Sequence, residues 1–141
     1  MRQLARGYIA SGEFKGYRTP QHIQNQIIKD YCDHNNLLFV LSRAEYWING
    51  ATNCQLWASL KEGYKHIVFF SLWQLPEKAK ERKEIFKYCL EAKIELHFAT
   101  ERIRTNINGN CFDDMEMLIQ INSVISIQET DKHLDLLRKL L

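Results

Sequence analysis

The sequence predicts an α/β fold, a three-layer parallel sheet of at least four strands with helices on both faces. Two observations carry this expectation. Apolar runs of strand length recur along the chain, each ended by glycine or polar residues. Between them, apolar residues fall at helical spacing. Strand and helix alternating in this way imply right-handed crossovers, which make the strands parallel and cover both faces. The expected strand order is 2-1-3-4, with one or two further helices at the C-terminal end.

Each element has its own signal. Gly7-Tyr8-Ile9-Ala10 is a short apolar run stopped by Ser11-Gly12, and reads as a buried strand. Thr19-Pro20 offers an N-cap followed by a proline suited to a first helical turn. Ile23, Ile27, Ile28 and Tyr31 then mark one face of a helix that ends near His34-Asn35-Asn36. Leu37 to Leu41 reads as the second strand, with a loop from Ser42 to Gly50. Leu56, Trp57 and Leu60 mark a helix closed by Gly63. His66 to Phe70 is the third strand. Leu75-Pro76 opens a helix striped by Ile85, Phe86, Cys89 and Leu90, and Ile94 to Ala99 is the fourth strand. Met115, Leu118, Ile119 and Asn122, then Leu134, Leu137, Leu140 and Leu141, recur at helical spacing in a C-terminal extension over 111–141.

Composition narrows the function classes. A chain of 141 residues suits one domain, and its net charge of +2 is spread without a basic run, so no nucleic-acid footprint is visible. Cys32, Cys54, Cys89 and Cys111 form no C-x-x-C pair, and no H-x-x-x-H pair occurs, so neither a metal nor another cofactor is expected. The cysteines read as small, mostly buried, free thiols. With no secretory h-region after Met1-Arg2 and no apolar run of spanning length, a cytoplasmic location away from membranes is expected.

In sheets of this kind, ligands bind beyond the carboxyl ends of the strands, at the point where strand order reverses. That rule selects the loops after Ala10, Leu41, Phe70 and Ala99.

Two resemblances sharpen the picture. Gly7-Tyr8-Ile9 and Gln24-Asn25-Gln26-Ile27-Ile28-Lys29-Asp30-Tyr31-Cys32 resemble the first strand and first helix of the serine-recombinase (resolvase and invertase) catalytic domain. This implies a resolvase-like or flavodoxin-like sheet. It also implies a catalytic arginine at the position of Ala10 and a nucleophilic serine at that of Gly12, neither of which is present. The phosphate-holding arginines expected after the third strand are missing from Leu72-Trp73-Gln74-Leu75-Pro76-Glu77. Phosphoryl transfer depends on such cations, so strand cleavage is not expected. Over nearly the whole chain, Gly7-Tyr8-Ile9, Thr19-Pro20-Gln21-His22-Ile23-Gln24-Asn25, Asp30-Tyr31-Cys32, Glu45-Tyr46, Ser71-Leu72-Trp73-Gln74-Leu75-Pro76 and Glu95-Leu96-His97-Phe98-Ala99 resemble the sporadic carbohydrate cluster family. Those proteins are encoded among genes for bacterial surface polysaccharides. The resemblance implies a part in making or modifying an unusual sugar, and supplies no reaction.

The polar residues selected by the loop rule form one candidate pocket. Arg18, next to a helix N-terminus, suits a phosphate. Gln21, Gln24 and Asn25 share a helix face and suit sugar hydroxyls. Ser11, Tyr46 and Ser71 complete the binding set. His97 with Glu101 or Glu45 is the candidate acid–base group, and His97 equally fits a core histidine. The leading expectation is a protein that binds or modifies a phosphorylated sugar or sugar nucleotide. A non-catalytic partner protein acting through its C-terminal helix, as a homodimer or with another enzyme, is the alternative. A DNA-binding recombinase relic ranks third.

Overall fold

The computed structural model describes residues 2–12, 18–46, 53–105 and 111–140, apart from the side chains of 111, 123–135 and 137. Its elements are β1 (Gln3–Ala10), α1 (Gln21–His34), β2 (Leu37–Glu45), α2 (Cys54–Lys61), β3 (His66–Phe69), α3 (Ala79–Ala92), β4 (Glu95–Phe98), β5 (Ile103–Arg104) and α4 (Cys111–Leu140). The sheet order is β2-β1-β3-β4-β5. The first four strands are parallel, and β5 is antiparallel to β4. The expected architecture and the order of its first four strands are therefore present.

The two faces of β1 sort by parity, as the pleat requires. Ala5 and Ile9 face α1, in a core with Ile28, Tyr31, Cys32, Val68, Phe70 and Ala99. Tyr8 lies on the other face. Its ring meets Phe69 at 5.0 Å, and Phe69 meets Phe98 at 5.0 Å. Trp57 of α2 and Tyr88 of α3 meet edge-on at 5.7 Å.

Several boundaries differ from the sequence reading. Thr19 is not the cap of α1. Pro20 stands there with extended ψ, and its carbonyl accepts from Ile23 N and Gln24 N. β2 runs on to Glu45, because its ladder with β1 continues to the Ala10–Glu45 pair, so no loop follows Leu41. The register shifts between Arg6, opposite Val40, and Tyr8, opposite Arg43. This gives β2 one extra residue across from Gly7. A Cβ on Gly7 would fall 2.1 Å from Ser42 Oγ, so the bulge leaves room only for glycine. A 3-10 turn at Leu72–Gln74 precedes α3, and β5 was not expected.

Cys32 and Cys89 are buried, whereas Cys54 is exposed, against expectation. The chain divides into two compact units, 1–107 and 108–141. The second holds α4, a single helix of 30 residues where two periodic patches were read. Along its first turns Phe112, Met115 and Ile119 are buried, while Met117, Leu118 and Ile121 are exposed. Among the described residues, no helix is long and apolar enough to cross a membrane.

Candidate functional site

The crevice beyond β1 and β3 is closed by two glutamines. The β3 ladder stops after Phe70 N donates to Tyr8 O, while β1 runs on to Ala10. The edge of Ala10 is taken instead by the amide of Gln24. Ala10 N donates to Gln24 Oε1 at 3.2 Å, and Gln24 Nε2 donates to Ala10 O at 2.8 Å. One primary amide thus pairs with both backbone groups, as a neighbouring strand would. Gln24 Nε2 also donates to Thr19 O at 2.7 Å, and Gln24 Oε1 accepts from Gln74 Nε2 at 2.8 Å. Both glutamines are fully buried.

The network continues along the carboxyl edge. Ser71 and Gln74 form a reciprocal capping box on the 3-10 turn. Ser71 Oγ donates to Glu101 Oε2 at 3.0 Å, and Leu72 N donates to Glu101 Oε1 at 2.5 Å. Ser71 and Glu101 are therefore structural partners of one another. The S-x-x-Q spacing of Ser71 and Gln74 was a legible capping signal, and it would have tied Gln74 to this edge.

The single pocket expected from the sequence does not form from these residues. Glu45 is buried with Tyr8. It accepts from Tyr8 Oη at 3.4 Å and from the N–H groups of Gln55 and Leu56, so it caps the first turn of α2. His97 is fully buried, and its ring nitrogens meet Tyr31 Oη at 2.8 Å and His66 Nδ1 at 3.0 Å. It pairs with neither Glu101 nor Glu45, because its ring packs against α1 while Glu45 sits with Tyr8 on the opposite face and Glu101 is engaged at the carboxyl edge. The acid–base pair is corrected accordingly.

What stays open lies where β1 leads into α1. Ser11 is half-buried, and its N–H donates to Glu45 O at 3.0 Å. Arg18 is exposed, Gln21 and Asn25 are half-buried, and Tyr46 is 65% exposed. Asn25 Oδ1 is buried and has no hydrogen-bond partner among the described residues.

A second polar cluster was not foreseen. Parallel pairing of His66 with Glu95 and of Val68 with His97 brings His66, His97 and Glu95 together. Glu95 Oε2 lies 3.4 Å from His66 Nδ1, 3.7 Å from His97 Nε2 and 2.7 Å from Arg104 NH2. His66 Nε2 contacts Gln3 Oε1. Burial, then His66 and Arg104, hold His97 down to about 3, and burial also lowers His66, so both rings are neutral near pH 7. One assignment satisfies every neutral ring nitrogen. Tyr31 O–H donates to His97 Nδ1, His97 Nε2–H donates to His66 Nδ1, and His66 Nε2–H donates to Gln3. These donors come from two paired strands, β3 and β4, that lie far apart in sequence, so no sequence spacing joins all three.

The chain is similar to a resolvase family site-specific recombinase from Streptococcus pneumoniae, with 14% identity and a TM-score of 0.60, over 94% of this chain and 98% of that one. It is also similar to the N-terminal catalytic domain of TP901-1 integrase, with 13% identity and a TM-score of 0.57, over 89% of this chain and 97% of that one. The fold is resolvase-like. At these identities the likeness extends to the fold and no further. No family model matches the chain, and no curated protein does. The carbohydrate-cluster resemblance thus rests on its motifs alone. Ala10 is fully buried, with its backbone held by Gln24.

Proposed function

We propose that this chain is a resolvase-fold binding domain that has lost strand cleavage and takes a phosphorylated sugar or sugar nucleotide at the mouth of α1. The observation that carries the reading is the open polar set there. Exposed Arg18 leads into the helix, and half-buried Gln21 and Asn25 follow on one face, with Asn25 Oδ1 lacking a partner among the described residues. Arginine chelates phosphate, and amides read hydroxyls. The carbohydrate class, and a part in bacterial surface-polysaccharide synthesis, rest on the motif resemblance. The absence of cleavage rests on Ala10, Gly12 and the arginine-free stretch Leu72–Glu77. Binding, not proton transfer, is the activity proposed, since His97 is engaged elsewhere.

Calorimetry of the full chain against UDP-glucose, dTDP-glucose and inorganic phosphate tests this. Saturable binding of a sugar nucleotide is expected, weakened about tenfold or more by Arg18→Ala, the loss of a charge-assisted contact, with the melting temperature unchanged. No binding of either sugar nucleotide, or equal binding by Arg18→Ala, sinks the proposal. Steeply salt-dependent binding of duplex DNA would favour the recombinase relic instead.

A second reading is favoured by α4. Met117, Leu118, Ile121, Leu136 and Leu140 are exposed along one 30-residue helix. Exposed apolar positions of this kind suit a partner protein or a second copy. The side chains of Leu134, Leu137 and Leu141, on which the sequence placed the interface, lie outside the described residues.

A further inference from the structure

We propose that His66, His97 and Glu95 form a binding site for a divalent transition metal of the zinc class, apart from the mouth of α1. Three donor atoms converge. His66 Nδ1 and His97 Nε2 are 3.0 Å apart, and Glu95 Oε2 lies 3.4 and 3.7 Å from them. Metal–ligand bonds of about 2.1 Å in a tetrahedron put neighbouring donors about 3.4 Å apart. The triangle therefore has the edges of one face of a zinc polyhedron. A hydrogen-bond chain accounts for the two imidazoles alone. Glu95 Oε2, held by Arg104, stands near both nitrogens at lengths suited to a shared ion.

The chemistry of the donors agrees. Two imidazoles and one carboxylate suit zinc, iron, copper or nickel, and not calcium or magnesium. Each donor has an outer partner of the kind that orients metal ligands. Gln3 holds the far nitrogen of His66, Tyr31 that of His97, and Arg104 donates to Glu95. Binding would shift the His97 proton from Nε2 to Nδ1, where Tyr31 Oη accepts it, and the ring stays neutral. His66 and the Glu95 side chain are 9% and 13% exposed, so the ion has a route in from the rim beside the fully buried His97. Three protein ligands leave one position for water or an incoming group.

The test is a titration of the metal-stripped full chain with zinc alone, by calorimetry, with imidazole nitrogen shifts followed by NMR. One zinc per chain is expected, with the ring signals of His66 and His97 moving together and His97 changing tautomer. His66→Gln and Glu95→Gln each remove one donor, and circular dichroism checks their fold. Each should weaken binding by about tenfold or more. Binding that is absent, that shifts only His22, His34 or His133, or that persists at wild-type strength in either folded variant overturns the site. Because His97 is a core residue, the NMR arm decides the question on the unaltered chain even if the variants do not fold.

Discussion

Replacing Gln24 with leucine tests the amide that closes the strand crevice. Leucine nearly fills the volume, so the change is mainly one of hydrogen bonding. Four bonds vanish, to Ala10 N, Ala10 O, Thr19 O and Gln74 Nε2. Thr19 is half-buried and can turn to water, whereas Ala10 and Gln74 are fully buried. Each buried orphan costs about 1–3 kcal/mol. With some relief from rotation of Gln74, Gln24→Leu should cost about 3–6 kcal/mol, a large part of the roughly 5–15 kcal/mol of a typical domain. Urea unfolding followed by circular dichroism reads this as a lower midpoint with an unchanged slope. The Gln24→Leu/Gln74→Leu pair should cost less than the two single changes together, with a coupling of about 0.5–3 kcal/mol. A loss below about 1 kcal/mol, or zero coupling, would refute the idea that this amide stands in for a strand.

Other perturbations follow from the same physics. Gly7→Ala drives a methyl into Ser42 at the β2 bulge and should cost about 1–3 kcal/mol, partly recovered by Ser42→Gly; a neutral Gly7→Ala in the same urea assay would rule out the bulge. Burial pushes the Cys32 thiol, with help from Asp33, and the Cys89 thiol up to about 12. A thiol reagent at pH 8 should therefore label Cys54 in the folded chain and reach Cys32 and Cys89 only on unfolding, and equal rates would contradict the packing of α1 and α3. Burial raises the Glu62 carboxyl, but hydrogen bonds from Arg43 and Arg6 outweigh it and hold the group below the ordinary range. A depressed carboxyl stabilises the fold above its unfolded pKa, and this is lost as pH falls through the folded value. The urea midpoints of wild type and Glu62→Gln should differ by a constant above about pH 5 and converge as the pH falls through the lowered Glu62 value, and a gap that persists into strong acid would deny the ion pair. Leu118→Glu with Ile121→Glu should abolish any self-association through α4, as read by light scattering, and a chain that stays monomeric at high concentration refutes that interface.

The sequence alone determined the alternation of elements. Tyr8 and Ile9, and Ile67 to Phe70, are apolar on both faces and buried, and such runs bury only inside a covered sheet. Of the stripe Ile23, Ile27, Ile28 and Tyr31, read at helical spacing, Ile28 and Tyr31 are buried, while Ile23 is exposed. Burial is a local demand of each side chain, so it is written in the local pattern. The S-x-x-Q spacing of Ser71 and Gln74 is likewise a local signal. What polar residues do at strand ends is settled by partners far along the chain. Gln24 looked like a free amide on a helix face until the early end of β3 left Ala10 unpaired beside it. Glu45 looked like a loop carboxylate until β2 was extended to reach the first turn of α2. His66 and His97 stand 31 residues apart, and nothing in their spacing joins them. Only the register of β3 on β4 sets both rings and Glu95 around one point, because parallel strands align residues whose separation is fixed by the length of the crossover between them.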